Sequence, residues 1–338
     1  MTPIKHSRGS FFQLQPNDKV MLSDLPYVVR QQARGGMGCV YLLEKDTVNA
    51  PERISDLGLR LALKGILPEK MNADSIALFR RELTVWAGLR QNNILWLLEI
   101  VDGGDAGWVA AMDWCMGSLR DILSNRNTLT LKETTDIMFD MIRGLGYAYN
   151  NSKIIHLDLK PENVLYHIDV VRAINTTNEK ESPLGSYKFM ISDWGIASIK
   201  QEELNRITAF TSRHAKKDHT FNNFGTLHYM APERFRPGEK SSVESDVFSL
   251  GMMYFEMLLG ALPFREDMDP IGALLSQTYF ADAKDALMAR NVPGSVRRLV
   301  LKMLAFRPED RFSNHKDLYE EIKAAWLKRN SLISNWLK

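Results

Sequence analysis

The residues with the clearest chemical potential lie between His156 and Asn163, in the stretch His-Leu-Asp-Leu-Lys-Pro-Glu-Asn. Asp158, Lys160 and Asn163 can face one small volume there if the backbone turns tightly. A carboxylate can orient a hydroxyl group and accept its proton, an ammonium group can neutralise a phosphoryl group, and an amide oxygen can bind magnesium. The trio therefore suits phosphoryl transfer. The competing interpretation is a polar turn whose side chains only cap neighbouring backbone groups.

A cluster of glycines lies between two short β-rich runs, at 27–29 and 40–43. Gly35, Gly36 and Gly38 predict the tip of a β-hairpin. Because glycine has no side chain, backbone N–H groups at such a tip can approach phosphate groups closely. A plain tight turn explains the same residues without a ligand.

Lys64 and Glu82 form a second candidate pair. Lys64 lies in a predicted strand at 61–67, and Glu82 lies beside the apolar stripe of a predicted helix. The stripe consists of Ile76, Phe79, Leu83 and Trp86. A buried lysine needs an acidic partner, because an unpaired charge inside a protein is costly, and Glu82 could supply it. A solvated strand lysine is the alternative.

Asp193 follows a predicted strand at 187–191 and precedes Gly195. A carboxylate at the end of a strand is well placed to bind a metal ion. An isolated aspartate at such a position is also a common turn former.

The elements that must position these residues form a β-rich first part and a mostly helical second part. Predicted strands lie at 27–29, 40–43, 61–67, 94–101, 108–114, 164–171 and 187–191. In the second part, Thr130 and Glu133 predict a capping box that opens a helix leading to His156. Further helices are predicted from about Asp246 and from about His315.

The composition is that of an ordinary globular chain. Its 338 residues are 45% apolar and 25% charged, which is enough for two lobes with a substantial core. A formal net charge of +2 does not favour nucleic acid or an acidic membrane surface as a partner.

The cysteines and the apolar segments bear on the cellular location. Cys39 and Cys115 are far apart and form no metal-ligand pattern, which predicts a reduced, cytoplasmic protein. The first 15 residues lack the apolar region of a signal peptide, and the apolar stretch 247–264 carries Glu256, which predicts a buried helix rather than a membrane span.

In combination, these motifs resemble those of eukaryotic-type (Hanks-type) serine/threonine protein kinases over roughly residues 27–325. They include a glycine-rich loop, Ala-Leu-Lys at 62–64, a helix glutamate, the His156–Asn163 stretch, Asp-x-Gly at 193–195 and Ala-Pro-Glu at 231–233. The resemblance implies an α+β, bilobal fold with a small antiparallel β-rich N-lobe containing one main helix and a larger, mostly helical C-lobe. The expected segments are a lead-in at 1–26, the N-lobe at 27–114, the C-lobe at 115–325 and a helical extension at 326–338.

The resemblance also implies that the chain uses ATP and Mg²⁺. In that family pattern, Asp158 is the catalytic base and Lys160 contacts the γ-phosphate, while Lys64 is oriented by Glu82. Asn163 and Asp193 are the implied magnesium ligands. The implied nucleotide-binding residues are Gly35, Gly36, Gly38, Val40, Ala62, Lys64, Met112, Asp113, Cys115 and Leu165.

Three further residues resemble the family's architectural positions. Glu233 is expected to pair with Arg311, and Asp246 is expected to brace the catalytic loop at 156–163.

The presence of Lys160 and Thr226 makes the chain more similar to serine/threonine kinases than to tyrosine kinases. The expected partners are therefore proteins that carry serine or threonine acceptors, and the glycine-rich loop resembles that of bacterial members.

The chain departs from the family pattern at Ala33, Leu157 and Trp194. Leu157 replaces an arginine that normally pairs with a phosphate on the activation loop, which predicts activity without loop phosphorylation. Trp194 replaces the phenylalanine of Asp-Phe-Gly and keeps an aromatic plug. The loop 172–186 and the activation segment, between Asp193 and Glu233, are long. They carry candidate autophosphorylation sites, namely Thr176, Thr177, Ser182, Thr208, Thr211, Ser212 and Thr220.

Two other functions remain open at this point. A pseudokinase that binds nucleotide or a partner would keep the fold without the transfer reaction, although all six implied catalytic and metal-binding residues are present. A small-molecule kinase would lack the platform that residues 225–233 and Arg311 suggest. A P-loop NTPase is unsupported because the chain has no Gly-x-x-x-x-Gly-Lys-Ser/Thr. The tail after Ala325 could form a dimer or bind a regulatory partner, or it could pack on its own lobe.

Overall fold

The computed structural model describes residues 14–34, 38–47, 58–66, 73–102, 108–175, 183–194, 225–236, 241–265 and 269–336. The chain divides into two compact units. The first comprises Met1–Met116 and Asp193–Gly195, and the second comprises Gly117–Ser192 and Ile196–Lys338. The first unit is rich in β-structure and the second is mostly helical, which agrees with the predicted α+β architecture.

A six-stranded antiparallel sheet forms the first unit, in the order β1-β2-β3-β4-β6-β5. Its strands are β1 (Lys19–Leu22), β2 (Leu25–Arg34), β3 (Gly38–Lys45), β4 (Arg60–Ile66), β5 (Leu97–Asp102) and β6 (Trp108–Asp113). The predicted lead-in at 1–26 therefore contains a strand, β1, which pairs with β2 and buries Val20 and Leu22. The strand predicted from residue 94 begins at Leu97 instead.

The side chains on one face of this sheet form a hydrophobic core, and a helix packs against strands β5 and β6. The core consists of Leu14, Val20, Leu22, Leu25, Tyr27, Val29, Cys39, Tyr41, Leu43, Leu61, Leu63, Val101, Val109 and Ala111. Helix α1 (Ala73–Ala87) packs against β5 and β6. Phe79, Leu83 and Trp86 of its predicted apolar stripe are buried, and Trp86 Nε1 donates to the Leu95 carbonyl at 2.5 Å.

The second unit combines a three-stranded antiparallel sheet with eight α-helices in its described residues. The strands are β7 (Gly117–Ser118), β8 (Val164–Ile168) and β9 (Tyr187–Ile191), in that order across the sheet. The helices are α2 (Leu119–Arg126), α3 (Leu131–Ser152), α4 (Val170–Asn175), α5 (Val243–Leu259), α6 (Pro270–Leu275), α7 (Thr278–Ala289), α8 (Gly294–Met303) and α9 (His315–Trp336). Short 3₁₀ turns lie at Pro161–Asn163, Pro183–Ser186, Gly225–Tyr229, Pro232–Phe235 and Pro308–Asp310.

Helix α3 begins where the sequence predicts. Thr130 Oγ1 accepts from the Glu133 N–H, and the Glu133 carboxylate accepts from the Thr130 N–H, which completes the capping box. The helix packs against α5, α9 and β9, so it carries the chain through the core of the unit to the His156 region.

The strand predicted at 164–171 is only partly correct. It ends at Ile168, and the chain continues as α4. Asp169 Oδ1 accepts hydrogen bonds from the N–H groups of Val171 and Arg172, and this side-chain cap turns the β-branched run into a helix. Arg172 also donates two hydrogen bonds to buried Asp140, at 2.8 and 2.7 Å.

Helix α5 starts at Val243, three positions before the predicted start, and is buried along nearly its whole length. It is a core helix, as its composition predicts. Of the helices in the described parts of the chain, none has both the length and the apolar character needed to cross a membrane.

Candidate active site

Several residues implied for nucleotide binding lie on one face of the first unit's sheet. Val40 of β3 is opposite Lys64 of β4, and Ala62 of β4 is opposite Met112 of β6. Because alternate residues of a strand point to opposite faces, these four side chains share one face. The other face of the same strands supplies the hydrophobic core. The register of three strands therefore brings together residues that are far apart in sequence.

Gly38 begins β3 at a point where the backbone comes very close to β4. A Cβ atom at this position would lie 2.8 Å from the Gly65 carbonyl oxygen and 3.8 Å from Lys64 Cε. Only glycine fits this approach without displacing the neighbouring strand. Gly35 and Gly36, at the predicted hairpin tip, lie outside the described residues.

Lys64 makes an ion pair with Asp193. The Lys64 Nζ atom is 2.5 Å from Asp193 Oδ1, and the two side chains are 18% and 24% exposed. Asp193 has a φ of +62°, a left-handed conformation that aspartate tolerates better than most residues. Glu82 is buried on α1. Its predicted pairing with Lys64 stays a prediction.

Met112 is followed by Asp113 and Cys115, two residues that the family resemblance implies bind the nucleotide. Asp113 is exposed and lies opposite Leu61, while the Trp114 N–H donates to the Arg60 carbonyl at 3.3 Å. Cys115 is buried, with its Sγ atom 4.0 Å from the Asp113 carbonyl oxygen. The backbone is thus anchored on both sides of Asp113.

In the second unit, the structure brings Asp158, Lys160 and Asn163 together. The Asn163 Nδ2 group donates to the Asp158 carbonyl at 2.8 Å and to Asp158 Oδ2 at 3.1 Å. The Lys160 Nζ atom is 3.3 Å from the same Oδ2 atom. Pro161–Asn163 forms the 3₁₀ turn that makes this approach possible. Asp158 and Asn163 are buried, so their geometry is fixed by surrounding protein.

His156 connects this loop with the strand that precedes Asp193. Its Nδ1 atom accepts the Asp158 N–H at 3.2 Å, so the ring proton lies on Nε2. Nε2 therefore donates to the Ser192 carbonyl at 2.9 Å. The His156 ring thus links Asp158, the implied base, to Ser192, which directly precedes the implied magnesium ligand Asp193 in the sequence.

Asp246 holds the first turn of the loop from α5. Its two carboxylate oxygens accept the N–H groups of His156 and Leu157, at 2.8 and 2.7 Å. Leu157 has a φ of +60°, which is unfavourable for a residue with a branched side chain. The two hydrogen bonds offset that strain. Asp246 thus makes the bracing contacts that the resemblance implied.

Leu165 lies on β8 in the second unit, two positions after Asn163. It is half-buried, and it is opposite Ser118 on β7 and Met190 on β9. The preceding residue, Val164, is completely buried on the other side of the strand.

Glu233 and Arg311 form a buried ion pair in the second unit. Arg311 Nη1 and Nη2 donate to Glu233 Oε1 and Oε2 at 2.9 Å each. Both side chains are almost completely inaccessible to solvent. The pairing that the sequence suggests between these two distant residues is present.

A network around Arg120 was not predicted. Arg120 of α2 donates to Glu162 at 2.8 Å, to Glu256 at 2.6 Å and to the Tyr229 hydroxyl, which in turn donates to Glu256 at 2.5 Å. Burial raises the pKa of Tyr229, and the charge of Glu256 raises it further. Burial acts to lower the pKa of Arg120, but its hydrogen bond to Glu256 and its other contacts raise that pKa above the ordinary value. The four residues are spread over the chain, so no local spacing signals the network.

Asn163 and Asp193 each offer an oxygen donor of the kind that magnesium binds. Magnesium prefers oxygen ligands, usually carboxylates together with water and phosphate oxygens. Asn163 uses its amide nitrogen for Asp158, which leaves its amide oxygen as the potential ligand. Asp193 offers a partly exposed carboxylate.

Comparison with known proteins identifies the family of the chain. A family model described as a protein kinase domain matches residues 34–326. The probable serine/threonine-protein kinase PknB of Lactococcus lactis is 26% identical over 307 residues, which cover 89% of this chain and 42% of the relative. The serine/threonine-protein kinase PrkC of Bacillus subtilis is 28% identical over 301 residues, covering 88% and 40%.

A third relative, the serine/threonine-protein kinase PknB of Mycobacterium tuberculosis, is 27% identical over 251 residues, covering 72% of this chain and 35% of the relative. The chain therefore spans less than half the length of these curated relatives.

Proposed function

Since the chain belongs to the protein kinase domain family, we propose that it transfers the γ-phosphoryl group of ATP to serine or threonine hydroxyl groups of protein substrates. The cluster of Asp158, Lys160 and Asn163 carries this proposal, because a base, a cation and a metal-binding amide meet within about hydrogen-bonding distance of each other. The names of the relatives as serine/threonine-protein kinases support the choice of acceptor.

In the proposed reaction, Asp158 orients the acceptor hydroxyl and takes its proton. The hydroxyl oxygen forms a bond to the γ-phosphorus of ATP as the bond from that phosphorus to the β,γ-bridging oxygen breaks, and ADP leaves. Lys160 lies against the Asp158 carboxylate, where its charge can stabilise the phosphoryl group in transfer.

Lys64 is proposed to bind the α- and β-phosphates. Its ammonium group already pairs with the Asp193 carboxylate, and an anionic phosphate would share or replace that contact. Asn163 and Asp193 would hold Mg²⁺, which would neutralise negative charge on the phosphates when bound. Val40, Ala62, Met112, Asp113, Cys115 and Leu165 are proposed to contact the adenosine part of the nucleotide.

Regulation is proposed to differ from that of kinases with an arginine before the catalytic aspartate. With Leu157 in that position, transfer is expected without prior phosphorylation of the activation segment. Autophosphorylation is proposed at residues of the loop 172–186 and of the activation segment. The seven candidates all lie outside the described residues, namely Thr176, Thr177, Ser182, Thr208, Thr211, Ser212 and Thr220. A cytoplasmic location, and a dimer or regulatory partner bound through the last turns of α9, stay predictions.

The alternative is a pseudokinase that binds nucleotide and acts through its partners. The Lys64–Asp193 ion pair is compatible with both proposals, since this contact can accept nucleotide phosphates whether or not transfer follows. The two proposals differ in one observable, which is phosphate gained by a protein.

The decisive experiment is intact-mass measurement of the purified chain incubated with Mg-ATP and a generic basic protein substrate. The wild type is expected to gain phosphate or pass it to the substrate. Asp158→Asn is expected to reduce the rate by about 10²–10⁴-fold, since the general base is lost. Asp136→Asn, the same change at a residue that is paired with Lys132 and whose side chain is 44% exposed, is the matched control and should behave as wild type. Nucleotide-induced thermal stabilisation without any transfer would favour the pseudokinase.

A further inference from the structure

Arg234 is a buried cation beside the catalytic loop that the proposed reaction does not use. It is 4% exposed, and its Nη1 group donates to the Leu157 carbonyl oxygen. Neither Nε nor Nη2 has a hydrogen-bond partner among the residues that the structure describes. Burial lowers the pKa of Arg234, and the nearby carboxylates of Asp246, Asp158 and Glu233 oppose that shift.

Such a group is unfavourable for stability. Burial of two donors without acceptors and burial of the guanidinium charge both favour unfolding, and an apolar side chain would avoid both costs. A contribution of Arg234 to the function of the loop would explain why a guanidinium lies here.

The carbonyl that Arg234 binds belongs to the peptide unit joining Leu157 to Asp158. A peptide unit is planar, so the direction of the Leu157 carbonyl also sets the direction of the Asp158 N–H. That N–H donates to His156 Nδ1 at 3.2 Å. Arg234 at one end of the unit and His156 at the other therefore determine the plane from which Asp158 projects.

This peptide unit needs such support because Leu157 adopts a left-handed conformation, with φ at +60°. Asp246 holds the two preceding peptide groups through the N–H groups of His156 and Leu157. The contact from Arg234 holds the peptide unit that follows.

We propose that Arg234 is a positioning residue that fixes the Leu157–Asp158 peptide and thereby aims the Asp158 carboxylate at the acceptor hydroxyl. The proposal rests on the proposed function, in which Asp158 is the base. It adds a residue from the Pro232–Phe235 turn, 77 positions away from Leu157, to the catalytic apparatus.

The first test is Arg234→Met, which keeps an apolar side chain of similar length and removes the donors and the charge. The kcat is expected to fall by about 10–100-fold, because small displacements of a catalytic group have effects of this size. The KM for ATP is expected to stay within about twofold, since the residues proposed to bind adenosine are not displaced. Arg234→Lys keeps the charge and donor capacity in a different geometry, so an intermediate kcat is expected.

Arg236→Met is the matched control. Arg236 lies two positions further along the same segment, with its guanidinium 4.4 Å from the centre of the Phe306 ring. The charge change is the same, so a general effect of charge would reduce kcat in both variants. The positioning role predicts wild-type kcat for Arg236→Met.

A double-mutant cycle with Leu157→Gly separates positioning from general stability. Glycine adopts the left-handed conformation without the steric penalty of a side chain, so the loop should depend less on Arg234. Arg234→Met is therefore expected to reduce kcat by a smaller factor in the Leu157→Gly background than in the wild type. Equal factors in both backgrounds would overturn the proposal.

Amide hydrogen exchange distinguishes failure of this proposal from failure of the proposed function. If the wild type transfers no phosphate, the proposed function fails, but exchange at Leu157 and Asp158 should still be faster in Arg234→Met than in Arg236→Met. Wild-type kcat together with wild-type exchange in Arg234→Met would show that the residue does not position the loop. If that variant does not fold, Arg234→Lys carries the test, and unchanged kcat and exchange in it would have the same meaning.

Discussion

Arg311 and Glu233 face each other through two parallel hydrogen bonds of 2.9 Å, and almost none of either side chain reaches solvent. Arg311 also donates to the carbonyl oxygens of Ala305, Phe306 and Glu244, at 2.6, 2.9 and 2.9 Å. A single side chain thus ties the Pro232–Phe235 turn, the start of α5 and the turn before α9 to one another.

Removing one partner of this pair is expected to destabilise the protein strongly. Glu233→Gln and Arg311→Met should each lower the free energy of unfolding by about 3–5 kcal/mol, because the remaining charge stays buried without its counter-ion. Arg311→Met should lie at the upper end, since it also removes three hydrogen bonds to backbone carbonyls. Urea unfolding followed by fluorescence or circular dichroism measures both values.

Arg265→Met provides the surface comparison for this prediction. Arg265 makes a bidentate ion pair with Asp282 but is 64% exposed, so its loss should cost less than about 1 kcal/mol. Similar values for Arg311→Met and Arg265→Met would contradict the structural role assigned to the buried pair.

Two glycine substitutions should have opposite effects. In Gly38→Ala, the new Cβ atom would lie 2.8 Å from the Gly65 carbonyl, so β3 and β4 must move apart next to Lys64. A loss of about 1–3 kcal/mol in unfolding free energy is expected, together with weaker ATP binding measured by calorimetry.

Gly294→Ala is the control. Its new Cβ atom lies at the start of α8, no closer than 3.7 Å to the flexible ends of Arg298 and Arg297. The change should be neutral or should stabilise the protein by up to about 1 kcal/mol. Equal destabilisation by both changes would rule out the clash as the cause.

Acid is expected to destabilise the protein partly through His315. Burial lowers the pKa of this imidazole, although the charge of Asp246 opposes the shift. Because the folded-state pKa lies below the unfolded value of about 6.5, the unfolded state binds the proton first as the pH falls. The free energy of unfolding should therefore decrease below about pH 6.5, by at most about 1.4 kcal/mol per pH unit from this one residue, until the folded-state pKa is reached.

Urea titrations between pH 7.5 and 5 test this prediction. His315→Gln should have a shallower dependence of unfolding free energy on pH than the wild type. His167→Gln, which changes an exposed histidine, should keep the wild-type slope. A wild-type slope in His315→Gln would remove His315 as a cause of acid sensitivity.

The cap of α3 is expected to contribute measurably to stability. Thr130→Ala removes the side-chain acceptor for the Glu133 N–H and should cost about 1 kcal/mol. Thr130→Ser keeps the hydroxyl and should cost much less. Thermal unfolding of the two variants measures the difference, and equal losses would indicate that packing of the threonine methyl group, rather than capping, is responsible.

Local patterns predicted much of the fold. The apolar stripe of α1, the capping box of α3, the strand at 187–191 and the start of α9 are all encoded by neighbouring residues, and all are present. The predictions failed where a tertiary contact or a short element decided the outcome. Residues Val170–Asn175 form a helix because Asp169 caps it and Arg172 reaches Asp140, and β1 is too short to produce a clear alternation.

The amino-acid sequence was sufficient to identify the candidate site residues. Asp158, Lys160 and Asn163 are close enough along the chain that a single turn brings them together, and the order of the motifs indicated the family. The contacts that hold this turn come from distant parts of the chain. Asp246, Arg234 and Arg120 reach their partners from between 42 and 136 positions away. Side-chain hydrogen bonds act over about 3 Å of space regardless of separation along the chain, so local spacing carries no information about them until the helices are packed.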